Sequence, residues 1–167
     1  MACYRKPPTT SDGAREVADA QEKFRVLFLC THNSARSQMA EGLIHNLHDD
    51  GFEAFSAGTE NTRVRPEAIE AMHEIGADIS GHESKTLDRY LNQTFDYVVT
   101  VCDAANEACP IFPGAKERLH WSLPDPSRAA GTMDERLEAF RSARDRLRDL
   151  IAAELVGKRR ERRPMSG

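Results

Sequence analysis

Residues 24–30, FRVLFLC, form an almost unbroken apolar run that passes straight into the polar stretch THNSAR. A helical pattern follows at once, with Met39, Leu43, Ile44 and Leu47 on one face. A strand that is apolar on both sides needs cover on both sides, and that condition belongs to parallel sheets. A second run of this kind, FDYVVTVC at 95–102, makes the same demand. Between them stand a strand closed by glycine (GFEAFSAG, 51–58) and a helix over 65–76 with Pro66 near its start and a glycine stop. SKTLDRYL (84–91) reads as a short helix and KERLHW (116–121) as a weaker fourth strand. Leu137, Phe140, Leu147, Leu150, Ile151 and Leu155 make an amphipathic C-terminal helix. The alternation predicts a single α/β domain: a four-stranded parallel sheet flanked by helices on both faces.

The domain is expected over 23–156, after a flexible N-terminal extension at 1–22 and before a basic flexible tail at 157–167. The chain of 167 residues is long enough for one proper core. It has no run long enough to span a membrane and no apolar leader, so it is read as cytoplasmic, monomeric and without a membrane partner. In that compartment Cys3, Cys30, Cys102 and Cys109 are free thiols by default and not a disulfide framework. The tail from Lys158 to Arg163 holds five basic residues and one acidic residue. Set aside from the chain's 23 and 27, it leaves 18 and 26, a net of −8. Such a body repels nucleic acid, and an anionic substrate must be held by a local arrangement.

The loop after the first strand offers one. Ligands of parallel sheets bind beyond the carboxyl ends of the strands, where Cys30 lies. A loop leading into a helix can converge its N–H groups on one point, and the positive helix end assists. Residues Thr31, His32, Asn33, Ser34, Ala35, Arg36 and Ser37 are thus the expected oxyanion cradle. The same field is expected to lower the pKa of Cys30. Arg36 supplies a planar fork for a tetrahedral oxyanion, and Ser34 and Ser37 offer hydroxyls to the sulfur. Asn33 suits a left-handed position. The alternative is a buried structural thiol beside a surface arginine.

CTHNSARSQMAEG resembles the phosphate-binding loop of the low-molecular-weight protein tyrosine phosphatases and of the arsenate reductases that share their fold. SAGTE, RPEAIEAM, DISGHESKTLD, FDYVVTVCD and LPDP extend the resemblance over about residues 24–155. It implies Cys30 as nucleophile, Arg36 as anion clamp and Asp125, followed by proline, as general acid. Ala35 stands where many relatives carry another cysteine, and His32 where many carry glycine. His32 is expected to point to solvent.

Phosphate hydrolysis needs only Cys30, Arg36 and Asp125. Cys102, at the end of the third strand, and Cys109 are surplus to it, whereas arsenate reduction must find two electrons. The resemblance is to the thioredoxin-coupled arsenate reductases, and it implies a relay. Cys30 attacks arsenic, Cys102 attacks Cys30 to release arsenite, and Cys109 attacks Cys102. Thioredoxin, supplied by NADPH through thioredoxin reductase, then reduces the Cys102–Cys109 disulfide, and no cofactor is bound. Phosphate and sulfate are the expected competitors of arsenate. A helix over 102–109 would hold its ends roughly 10 Å apart, whereas a disulfide needs about 4.4–6.8 Å between Cα atoms. The segment is therefore expected to unwind on oxidation.

Some relatives hold potassium beside the loop through residues matching Asn33, Glu41, Ser56 and an aspartate. Lys85 stands at the fourth position here, so its ammonium is expected to pair with Glu41 in place of the ion. His45, His48, His73, His82 and His120 read as scattered with no metal to hold, Trp121 as core, and Cys3 as without a role. The alternative functions are a low-molecular-weight phosphatase and a redox sensor in which Asp125 has no part.

Overall fold

The computed structural model describes residues 22–108 and 112–162, with no account of the side chains of 106–108. Strand β1 (Phe24–Cys30) lies in the interior of a four-stranded sheet of order β2-β1-β3-β4. Its neighbours are β2 (Phe52–Gly58) and β3 (Phe95–Thr100), and β4 (Ala115–His120) closes one edge. All pairings are parallel: Phe24 stands opposite Phe52, Leu29 opposite Thr100, and Val99 opposite Leu119. Side chains alternate across a strand, so β1 sends Val26, Phe28 and Cys30 to one core and Leu27 and Leu29 to another.

The two faces are covered differently. The first takes α1 (Arg36–Leu47), α2 (Pro66–His73) and α4 (Met133–Leu150), which bring Met39, Leu43, Met72, Phe140 and Leu147 to the sheet. Each such fully buried side chain contributes roughly 1.5–3 kcal/mol. The second face carries no long helix. A 3₁₀ turn, Leu87–Tyr90, and the segment at Phe112 cap it, with Phe55, Tyr90 and Phe112 each meeting the ring of Phe95 edge-on. Helical segments thus lie on both faces, as expected, the one on the second face being short. Bulky aromatics fill that thinner layer, so one 3₁₀ turn suffices there.

The short α3 (Asp103–Ala108) follows β3. Helix α4 starts with a capping box between Thr132 and Glu135 and continues through a π-helical stretch, Ile151–Val156, into α5 (Gly157–Arg162). Residues 157–162, expected to be flexible tail, are therefore helical. Lys158 and Arg162 both pair with Glu117 on β4, which anchors that turn to the sheet edge. The extension before Glu22, residues 109–111 and the last five residues lie outside the described part, and with them the expectations for Cys3 and Cys109. Among the described residues no helix is long and apolar enough to cross a membrane.

Candidate active site

The loop from Thr31 to Ala35 is fixed by where its carbonyls go. The Cys30 carbonyl accepts from Thr59 N–H, that of Thr31 from Glu60 N–H, and that of His32 from the Thr62 and Ser84 hydroxyls. The Asn33 carbonyl accepts from the Gln38 amide, that of Ser34 from Arg65 N–H and that of Ala35 from Met39 N–H. In a planar trans peptide the N–H points opposite to the C=O. Six outward carbonyls therefore turn the following N–H groups inward, toward Cys30. That of Asn33 reaches the sulfur at 3.0 Å.

Asn33 takes the left-handed conformation, φ 49°, as its residue type predicted. Its side chain makes three hydrogen bonds. Nδ2 donates to Ser37 Oγ at 2.8 Å, and Oδ1 accepts from Gln38 Nε2 and from Lys85 N–H, both at 2.8 Å. Gly58, at the end of β2, passes directly beneath the loop. A Cβ there would lie 2.6 Å from the Thr31 carbonyl oxygen, so only glycine fits.

Cys30 Sγ is 2.8 Å from Ser37 Oγ and is buried, as is Ser37. Burial pushes its thiol up, and nearby Cys102 adds to the rise. The Ser37 hydroxyl and the N–H groups of Asn33 and Ser37 oppose them without prevailing. The expected lowering is thus not met in the empty site, because desolvation of the sulfur outweighs its donors. Arg36 is buried and spends one nitrogen on the Leu123 carbonyl at 2.7 Å, while another stands 3.8 Å from Asp125 Oδ2. Burial raises the Asp125 carboxyl, but the Ser127 N–H, Arg36 and Arg128 together hold it below the usual carboxylate range. Cys30, Ser34, Arg36 and Asp125 line one small pocket. It opens into a cavity of about 490 Å³ walled by His32, Thr62, Arg63, Arg65, Pro66, Ser127 and Arg128, with no Phe, Tyr or Trp among them.

Cys102 is buried and reduced, like Cys30. Val101 N–H donates to the Leu29 carbonyl, so the ends of β1 and β3 lie side by side. Thr31 Oγ1, next to Cys30, is 3.5 Å from Cys102 Sγ, and the N–H of Ala105 donates to that sulfur. The structure thus brings Cys30, Arg36, Asp125 and Cys102 to one rim.

Residues 25–159 match the family Low molecular weight phosphotyrosine protein phosphatase. An arsenate reductase of Halalkalibacterium halodurans is 48% identical over 122 residues, 73% of this chain and 88% of that protein. The chain belongs to the low-molecular-weight phosphatase family, on its arsenate reductase branch. A solved arsenate reductase in a phosphate-binding state superposes with TM-score 0.70 at 33% identity, covering 82% of this chain and 98% of that one. A thioredoxin-dependent arsenate reductase of Corynebacterium glutamicum superposes with TM-score 0.59 at 29% identity, over 85% of this chain and 67% of that one.

Three features of this family member escaped the sequence. His32 turns outward to Glu60, as expected, but His45 and His82 are not scattered: they meet at Glu41. His120 bonds both Thr100 and Asp103, and Ser122 donates to the same Asp103. Arg63, Arg65 and Arg128 share one cavity. Each set joins residues of different elements, so local spacing signals at most a part of it, such as Glu41 and His45 four residues apart on α1. Lys85 does meet Glu41, Nζ to Oε2 at 3.5 Å, with the Ser56 hydroxyl donating to the same oxygen. Trp121 packs on Phe28 and donates to Glu154, as a core residue.

Proposed function

We propose that the chain reduces arsenate to arsenite through a thiol relay from Cys30 to Cys102 to Cys109, with thioredoxin as the terminal reductant. The observation that carries this reading is the second buried thiol, Cys102, set beside the Cys30 loop and joined to it through Thr31. Hydrolysis of a phosphate ester has no use for it.

The protonation of Cys30 and Asp125 suits the first step. Cys30 is held toward the thiol and Asp125 toward the carboxylate. Arsenate enters the N–H cradle, and Arg36 turns its fork to the oxyanion. The Cys30 sulfur bonds to arsenic and one As–O bond breaks. The thiol proton passes by way of Asp125 to the departing oxygen, which leaves as water. Cys102, as thiolate, then attacks the Cys30 sulfur. An S–S bond forms, the S–As bond breaks, and its electron pair stays on arsenic, which leaves as arsenite. Cys109 attacks Cys102 and frees Cys30. The dithiol of thioredoxin reduces the Cys102–Cys109 disulfide by the same exchange, and NADPH recharges it through thioredoxin reductase. Since α3 runs from Asp103 to Ala108 in the reduced chain, the third step requires it to unwind.

A phosphotyrosine ring would need apolar walls on the approach to Cys30, and that approach is lined by arginines. The deciding assay is arsenate-dependent NADPH oxidation with thioredoxin and thioredoxin reductase. The wild type is expected to turn over and Cys109→Ser to stop after about one turnover, since its electrons cannot leave the Cys30–Cys102 disulfide. No turnover by either, with brisk hydrolysis of p-nitrophenyl phosphate, would overturn the reading.

A further inference from the structure

We propose that Glu41, His45 and His82 form a binding site for a divalent cation of the zinc class, separate from the thiols of the relay. Glu41 and His45 lie four residues apart on α1 and so share one face of it. Between them Gly42 lets the segment after α2 close in. A Cβ at that position would stand 2.5 Å from Ile79 Cγ2. The closure carries His82 across to α1, and its ring meets that of His45 edge-on, centroids 6.3 Å apart. One carboxylate oxygen and one nitrogen of each ring lie within 4.8 Å of one another.

Each ring gives one nitrogen to a carbonyl oxygen, which fixes where the lone pair sits in its neutral form. His45 Nε2 is 3.2 Å from the Ala54 carbonyl oxygen. That oxygen can only accept, so Nε2 carries the hydrogen and Nδ1 the free lone pair. His82 Nδ1 is 3.0 Å from Gln38 Oε1. The Gln38 amide nitrogen is committed to Asn33 and to the Glu83 carbonyl, so its oxygen is the atom facing His82. His82 therefore keeps its lone pair on Nε2. Backing of each ring by a carbonyl acceptor is the arrangement that orients metal-ligating histidines.

Two imidazole nitrogens and a carboxylate oxygen suit zinc, or cobalt as its stand-in, with a fourth position open. Magnesium and calcium prefer all-oxygen shells. Tetrahedral ligands at about 2.1 Å stand roughly 3.4 Å apart, so from separations of up to 4.8 Å the side chains draw in by at most about 1.4 Å. His45 is exposed and His82 half-buried, at the mouth of a cavity of about 200 Å³ whose wall includes Asp78. The cavity gives a path for entry, and Asp78 adds negative charge. Lys85 opposes a dication, but it and Ser56 both engage Oε2 of Glu41. The carboxylate has a second oxygen to offer.

The test uses the full chain with Cys3, Cys30, Cys102 and Cys109 changed to serine, so that no thiol competes. Titrated with cobalt(II), it is expected to bind one ion per chain with the visible bands of a nitrogen–oxygen site and no sulfur charge-transfer band. Zinc should displace the cobalt, and His45→Gln, an exposed substitution, should weaken binding at least about tenfold. Imidazole nitrogen spectra of the wild-type chain with zinc keep the test open if the serine variant does not fold. There His45 and His82 should shift and His73 and His120 should not. Undiminished binding in His45→Gln, no one-to-one binding, or a uniform shift of all the histidines would overturn the proposal.

Discussion

Two strand ends meet at the same rim of the sheet, and they are held in opposite ways. After β1, six successive carbonyls accept from donors in the 59–65 segment, Ser84 and α1, and the Asn33 side chain makes three hydrogen bonds. After β3, Cys102 is met by the Thr31 hydroxyl and the Ala105 N–H, and α3 is tied down through Asp103, whose side chain is 68% exposed. The first end binds and must not move, because an oxyanion cradle works only when its donors are already aimed. The second, in the proposed relay, passes electrons on, and the six-residue helix α3 that follows Cys102 would have to yield for that step. Local stability differs where function asks it to.

The largest expected effect breaks the rigid end. Arg36→Lys keeps the charge and loses the fork, and kcat/KM for arsenate should fall by about 10²–10³, the usual loss for a missing oxyanion donor. Steady-state kinetics check it. Ser37→Ala removes the side chain that holds the Cys30 thiol down. The Cys30 pKa, already raised, should rise further. The alkaline limb of the pH–rate profile, where the Cys30 proton used in the first step is lost, then moves to higher pH.

Asp103→Asn sharpens the other side. It weakens the tie to His120 and Ser122, so amide exchange over 103–108 should quicken while that of 31–37 stays unchanged. Equal protection in both segments would show that the ends are not differently held. The Asp103 carboxyl is held below its ordinary value by its bonds to His120 and Ser122. Its stabilising contribution is therefore present above the unfolded-state pKa and is lost as pH falls through the lowered one. Protection of α3 should fade in acid accordingly. The smallest effect is potassium. With Lys85 on Glu41, potassium chloride should stimulate arsenate reduction no more than sodium chloride at the same ionic strength. Selective stimulation would mean that the ammonium yields its place.

Much of this was legible from local pattern. The run 24–30 is apolar on both sides, and the loop 31–37 has its polar residues at fixed offsets from Cys30, so strand, cradle and nucleophile could be read together. Asn33 was readable because few residue types tolerate its backbone conformation. The short helix expected at 84–91 is present as a 3₁₀ helix, Leu87–Tyr90, but that it caps the second sheet face could not be read from so few residues.

The protonation of Cys30 was misjudged for a different reason. Spacing reveals donors, but burial is a property of the whole fold, and here it dominates. The same holds for Glu41 with His45 and His82, for Asp103 with His120, and for the three arginines beside the loop. The sequence by itself determined the periodicities, the α/β class and the chemistry of one contiguous loop, since these depend on neighbours along the chain. Only the tertiary structure decided which distant side chains share a charge, a proton or a cavity, since electrostatic coupling depends on distance and desolvation through space.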